Sequence, residues 1–529
     1  MEQRLAQHGS YLDQANKLRD RFPCLNQFFA DWYRFAPDKL PRPPVQGPAI
    51  SRGRVGVLEF VREKQPQFVD LSDPTDLRDY LNGDYPRTPC KNRLFLLEDL
   101  DETHLELLGA ALSINPLVLA DHLFAYHFSQ NHTVSHRTLP SLTDPTKSFT
   151  LRYYELRETD DRRAEMQTYG RRTFSRASRQ IERWQDLPRR PGRGETYVDV
   201  VRHNVSFWCD ERPSGVEDKR KLQKAWNGKS TSIILVDPPI ASRPAAEKGY
   251  YYVLDKKGDQ VLWRSQIQWS VPYRIGYSDV RQLQSNQDYI APSRMSMFDD
   301  IVFYWQQANS DEVASVFENC VNTTLFVHRI VASYWLEFLD LQLKTLSTVD
   351  LTSKQRRVAS AGKVVSTREW KRELDFYNER LSLLGLLQRR LMWYEQEMLL
   401  NLERLGLRPD GASYEVAGNT APLSLHAAEQ DFKTIFYELK LHKSRADNLL
   451  GIVTDSINLS NAMRSLHDTR FGMQLSIVGA IFFPVTLVAA VFSMGGDYLP
   501  GSKNFWIPWV VAVPLVAILI IMIWQSRRS

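Results

Sequence analysis

Cysteine is scarce in this chain: Cys24, Cys90, Cys209 and Cys320 lie far apart and form no CxxC pair. That spacing argues against a disulfide framework or a structural zinc site and fits a reducing compartment. In such a compartment the N-x-S/T matches at Asn204, Asn322 and Asn458 carry no glycosylation reading. No Walker loop, GxGxxG after a strand, HExxH or GxSxG occurs, so an ATP-driven pump or a hydrolase has no support. The chain is therefore not expected to be an enzyme or to need an organic cofactor. The opening MEQRLAQHGSYLDQ lacks an apolar core and a small-residue cleavage site, so no signal peptide is expected.

Charge is missing from the last stretch as well. Two uncharged apolar runs, Phe471 to Gly496 and Asn504 to Ser526, have only Asp497 and Lys503 between them, and Arg527-Arg528 follow. Each has about 20 residues or more, enough to cross a hydrocarbon core of roughly 30 Å as a helix. Each is apolar on all faces, unlike a surface helix of a soluble protein. The expectation is an integral, multi-pass membrane protein whose soluble mass precedes a C-terminal hairpin. Arg464 and Arg470 before the first span and Arg527-Arg528 after the second place both termini in the cytoplasm by the positive-inside rule.

Upstream, the Pro-rich Leu40 to Pro48 separates a helical lead-in from a mixed α/β pattern running from about residue 50 to 300. Strand-like segments are Val55 to Val61, Arg93 to Leu97, Phe149 to Leu156, Tyr197 to Trp208 and Ser232 to Val236. Glu102 to Ser113 and Leu117 to Phe128 read as helices. Residues 162–193 hold ten arginines and few acids. They read as a solvated loop, with anionic lipid headgroups as the alternative partner; without a groove-reading motif, nucleic acid is not expected. His122, His127, His132 and His136 lack metal-ligand spacing and read as surface histidines.

Long helices follow: Val313 to Leu346, Arg368 to Leu405 and, after a Gly/Pro break at Leu407 to Pro422, one that continues into the first span. Free of proline from Leu423 until Pro484, that last helix would be about 70 residues and roughly 105 Å long. Leu425, Phe432, Ile435, Phe436, Leu439, Leu450 and Val453 give it an apolar stripe. Thr454 to Arg470 is polar, either a solvated face or the lining of a wet vestibule. The expected division is an extension and linker at 1–75, an α/β domain at 76–309 and long helices at 310–422. A stalk at 423–472, spans at 473–496 and 505–526 around an outer loop at 497–504, and a basic tail at 527–529 complete it.

Two segments carry a family resemblance. Leu475 to Pro500, LSIVGAIFFPVTLVAAVFSMGGDYLP, resembles the first membrane helix and outer loop of the CorA family of divalent-cation channels. Leu112 to Leu123, LSINPLVLADHL, resembles that family's cytoplasmic I-x-P-L-x-L-E-D-x-L signature. The resemblance covers about 90–130 and 423 to the end. It implies an α+β cytoplasmic domain, a long helical stalk and two C-terminal transmembrane helices, assembled as a homopentamer in a lipid bilayer. It further implies passive movement of divalent cations, most often Mg2+, through a pore lined by the first helix. Matched residue by residue, the pore-lining stripe is Gly472, Leu475, Gly479, Phe483, Thr486, Ala490 and Ser493. Asn458, Asn461, Ser465 and Asp468 continue it as an inner vestibule.

The chain departs from the family at two places. Where the family has Gly-Met-Asn at the outer mouth, this sequence reads Ser493-Met494-Gly495, with Asp497 following. Gly495 offers no amide oxygen to a hydrated cation, leaving backbone carbonyls, the Ser493 hydroxyl and Asp497. Asp121 matches an acidic residue of the family's regulatory magnesium site, but its stalk counterpart is Thr434 and its neighbour is Ala120. Two alternatives therefore stand beside Mg2+ conduction. One is a non-conducting membrane-anchored scaffold or regulator; the other is a channel selective for Zn2+, Co2+ or Ni2+.

Overall fold

The computed structural model describes residues 10–22, 25, 53–83, 92–123, 144–160, 171–173, 180–184, 196–211, 230–238, 250–254, 260–267, 296–360, 367–409, 422–493 and 501–526. The chain forms two compact units, each drawn from two stretches of sequence. One takes Met1–Leu351 and Leu386–Asp447, the other Thr352–Gly385 and Asn448–Ser529. The architecture is mixed α+β and mostly helical, with a single extended sheet in the first unit.

The strands are β1 (Arg54–Phe60), β2 (Gln67–Asp70), β3 (Asn92–Glu98), β4 (Ser148–Asp160), β5 (Arg171–Thr173), β6 (Gln180–Trp184), β7 (Thr196–Glu211), β8 (Ser230–Val236), β9 (Tyr250–Leu254) and β10 (Gln260–Ile267). Their order is β2-β1-β3-β8-β7-β4-β10-β9-β5-β6, and β6 also pairs with β7, so the last six close into a ring. Only β3 and β8 run parallel among the described pairs. The Arg-rich segment, expected as a loop, thus contributes two short strands. Strands β1, β3 and β8 are buried along nearly their whole length, which is why they read as continuous apolar runs rather than alternating ones.

Alternation nevertheless sorts their side chains onto two faces. Val55, Val57, Phe95, Leu97, Ile233 and Leu235 join one core with helices α1 (Tyr11–Lys17), α2 (Pro74–Asn82), α3 (Glu102–Leu112) and α4 (Pro116–Leu123). On the other face α5 (Met297–Gln306) sets Trp305 edge-on to Phe60 at 5.0 Å and Phe298 to Phe68 at 5.9 Å. Helix α1 is tied in by its own N-terminus: the Tyr11 and Leu12 amides donate to the Glu106 carboxylate at 2.5 and 2.9 Å. The Tyr11 hydroxyl donates to the Ile114 carbonyl, and a Cβ at Gly109 would lie 2.3 Å from the Tyr11 ring. The domain therefore does not begin at residue 76: β1, β2 and α1 precede it and build the same core.

After α5 come α6 (Ser310–Glu318), closed by an Asn309/Glu312 capping box, and a 3-10 turn, Cys320–Thr324. The helix expected at Val313 to Leu346 is interrupted there, and α7 (Leu325–Ser360) starts afresh. Helix α8 (Thr367–Arg404) and the 71-residue α9 (Leu423–Ser493) match the expected long helices, and α10 (Ile507–Ser526) follows. A disulfide joins Cys209 of β7 to Cys320 of the turn across 111 residues of sequence. It corrects the expectation of unpaired cysteines and removes their support for a reducing compartment. Spacing alone cannot show a bridge that only β7's placement makes.

Within the first unit, side chains of α7 and α8 finish the edge of β4 that β10 leaves open beyond Arg157. Asn401 accepts from the Arg152 amide at 3.0 Å and donates to its carbonyl at 2.8 Å, the pair of bonds a neighbouring strand would make. Trp335 Nε1 donates to the same carbonyl and Arg404 to the Thr150 carbonyl. A strand edge left open at this burial would cost unsatisfied backbone groups.

Candidate functional site

Two kinds of chemistry need a home: the polar groups buried in the first unit and the open face of α9 in the second. Glu397 of α8, 1% exposed, receives the Tyr154 hydroxyl and the guanidinium groups of Arg202 at 3.0 Å and Arg152 at 3.4 Å. Burial, then the nearby Arg404, pulls the Arg152 guanidinium down to about 9. It remains charged at neutral pH, so the cluster is an ionic bolt between β4, β7 and α8.

The second buried cluster sits where β7 meets α4. His203 Nε2 lies 2.8 Å from Glu155 and its Nδ1 3.5 Å from Asp237, with the ring stacked on Tyr153. Burial works to lower the His203 pKa, but Asp237 and Glu155 outweigh it and hold it above the ordinary value. On the other side of Asp237, His122 Nε2 stands at 3.4 Å while its Nδ1 is 3.0 Å from the Ser206 hydroxyl. Ser206, His122 and Asp237 thus have the order of a hydrolytic triad. Ser206 is fully buried and its hydroxyl is also bonded to Thr150 at 2.8 Å, so the three groups tie α4, β7 and β4 together. His122 is a buried, bonded residue and not a surface histidine; His127, His132 and His136 lie outside the described residues.

These residues were missed because an isolated polar residue in a strand pattern carries no sign of its partner. Only the β4–β7 register, which sets Tyr153 opposite His203 and Arg152 opposite Asn204, brings them together.

Asp121 is half-buried on α4, beside that cluster in sequence. Thr434, the residue matched to it by the resemblance, is exposed on α9 and donates its hydroxyl to the Gln430 carbonyl. Among the described residues no group of three or more His, Cys, Asp or Glu is placed to hold a metal ion.

The seven residues assigned to the pore face share α9, and all seven are exposed: Leu475 by 64%, Phe483 by 71%, and Gly472, Gly479, Thr486, Ala490 and Ser493 likewise. Pro484 and Val488, on other sides of the helix, are buried. A Cβ added at Gly472 or Gly479 would meet nothing within 4 Å, so nothing in the chain's own packing requires glycine there. The hydroxyls are spoken for in one direction only. Thr486 donates to the Phe482 and Phe483 carbonyls and Ser493 to that of Ala490, which leaves oxygen lone pairs turned away from the helix backbone. Asn458, Asn461, Ser465 and Asp468 extend the exposed line, with Asp468 3.3 Å from Arg464. Met494, Gly495 and Asp497 lie outside the described residues, as does the basic tail.

Among the described residues α9 is the one helix long and apolar enough to cross a membrane, and only 12% of its most apolar stretch is buried. α10 carries a shorter apolar stretch, Ile507–Ile518. Comparison with protein-family models and with curated proteins finds no match for this chain.

Proposed function

We propose that this protein is a CorA-like channel in which several copies of α9 surround a pore and let divalent cations, Mg2+ first among them, pass down their gradient. The carrying observation is the open face of α9. Its glycines, Gly472 and Gly479, have no packing reason inside one chain, and its large residues, Leu475 and Phe483, lie bare. Glycines that open onto nothing are explained when identical helices converge on an axis. A pentamer, with α10 as a second, lipid-facing span and both termini on the cytoplasmic side, completes the reading. Outward lone pairs at Thr486 and Ser493, five copies each, give rings of acceptors suited to a cation that keeps most of its water. A ring of Phe483 would form an apolar constriction between them and the cytoplasm.

The second reading is a non-conducting scaffold of the same build, favoured by Gly495 in place of the family's Asn. Reconstitution in liposomes holding a Mg2+-sensitive dye separates the two. Conduction predicts Mg2+ entry well above that of protein-free vesicles. Entry no faster than in protein-free vesicles for the native chain, restored in Gly495→Asn, establishes the scaffold, and entry of Zn2+, Co2+ or Ni2+ in preference to Mg2+ moves the selectivity.

A further inference from the structure

The second unit holds a basic surface that the transport reading does not use. Where α7 ends and α8 begins, the exposed side chains include Lys354, Arg356, Arg368, Lys371 and Arg372, against Glu369; the acids Glu373 and Asp375 come later along α8. This region is anchored on aromatic rings. The Arg356 guanidinium lies 5.5 Å and that of Arg380 4.9 Å from the Phe376 ring centre, which ties the end of α7 to α8. Half-buried Trp370 lies under the Arg464 guanidinium of α9 at 5.7 Å. Arg464 also pairs with Asp468 at 3.3 Å.

That last contact sets a height. Arg464 precedes Phe471, where the uncharged stretch of α9 begins, by seven residues, or about 10 Å of helix. A headgroup layer is roughly 5–7 Å deep on each side of the hydrocarbon, and Lys or Arg stems extend several ångströms further. With α9 as a span, the start of α8 would stand just below the headgroup layer, close enough for its Lys and Arg side chains to reach in, with the Trp370 indole beside Arg464.

We infer that the end of α7 and the start of α8 form a docking surface for anionic phospholipid headgroups, with Arg368, Lys371 and Arg372 binding phosphate or carboxylate groups of the leaflet that α9 enters. The inference rests on α9 being a membrane span. Each basic residue near such a leaflet contributes about a five-fold preference, so three together give roughly a hundred-fold. Through Trp370 and Arg464, lipid composition would then bear on the part of α9 just below the span.

The test uses the full chain in vesicles of phosphatidylcholine alone or with phosphatidylserine, read by hydrogen exchange of peptides covering 368–376. Exchange should slow about ten-fold or more in the anionic vesicles, and revert to the neutral-vesicle rate in high salt. A triple variant, Arg368→Gln, Lys371→Gln and Arg372→Gln, should lose the protection, while the Lys-for-Arg variant at 368 and 372 should keep it. Equal exchange in both vesicle types, in protein that resists alkaline extraction, overturns the lipid site and leaves the span standing. Release of the protein by alkaline extraction instead overturns the span itself. Equal protection by soluble polyglutamate would assign the surface to an acidic protein partner and overturn the lipid reading.

Discussion

The first thirty residues of α9 and its last forty are equally regular helix, yet they are completed by different things. From Leu425 to Val453 the apolar stripe is buried by this chain: Phe432 and Leu439 are fully covered, and Ile435, Phe436 and Leu449 nearly so. From Leu459 onward most of the large apolar residues lie bare, with Leu459, Met463, Leu466, Phe471, Leu475, Phe482 and Phe483 each more than half exposed. A soluble monomer rarely leaves so long an apolar surface uncovered. One half of the helix is thus core, and the other half leaves its apolar side chains largely uncovered by this chain, as the proposed span and oligomer would require. Periodicity alone does not tell the two apart, because both show apolar residues at three- and four-residue steps.

The largest effect that sharpens this comparison comes from truncating one aromatic in each half. Phe432→Ala should cost about 3–5 kcal/mol of unfolding stability, read by denaturant melts of detergent-solubilised protein. Phe483→Ala should leave the melt of the first unit within about 0.5 kcal/mol and change ion flux instead. Equal losses at the two sites would erase the distinction.

Titration probes the self-contained half from the other side, since two buried histidines there shift in opposite directions. Burial holds His328 down to about 4, with its Nδ1 beside the Ser424 carbonyl at 3.2 Å. The folded state then binds fewer protons than the unfolded one, so its contribution is full above the ordinary histidine value and fades as pH falls from about 6.5 toward 4, by about 3 kcal/mol. His203 is held above its ordinary value, so its contribution is full below about 6.5 and is lost as pH rises through the folded pKa. Stability against pH should therefore show an acid limb that His328→Phe flattens and an alkaline limb that His203→Gln removes. Identical profiles for wild type and both variants would refute the assignment.

A smaller contrast comes from two glycines. Gly109→Ala forces a Cβ to within 2.3 Å of the Tyr11 ring, so it should loosen α1 and cost about 1–3 kcal/mol. Gly479→Ala meets no atom of the chain and should be neutral or slightly stabilising to one subunit, because alanine favours helix by about 1 kcal/mol. If copies of α9 converge on that face, the same change should nonetheless reduce flux or destabilise the oligomer on native gels.

Much of the frame was legible in the sequence. The strands around Val57, Phe95, Leu151, Val201 and Ile234 announce themselves by β-branched and apolar runs, and the absence of proline between Leu423 and Pro484 announces α9. What stayed hidden depends on register. Cys209 and Cys320 are 111 residues apart, and His203, Glu155, Asp237 and His122 come from two strands, a loop and a helix. The edge of β4 closed by Asn401 is invisible for the same reason, since a polar residue in a helix pattern reads as solvated until the strand it caps is placed. The α9 stripe, by contrast, was named from local spacing, and its members are exposed along with neighbours such as Phe482, Leu487 and Val491, so burial within one chain does not single them out.

The central claim is that this face looks onto a water-filled path for ions, and single cysteines placed on α9 of the reconstituted protein test it most directly. A membrane-impermeant, positively charged thiol reagent should react at Thr486→Cys and Ala490→Cys and block Mg2+ entry. It should leave Val488→Cys, on a buried side of the same helix, conducting. Reaction at all three alike, or flux unaffected after complete modification of Thr486→Cys, would contradict the pore.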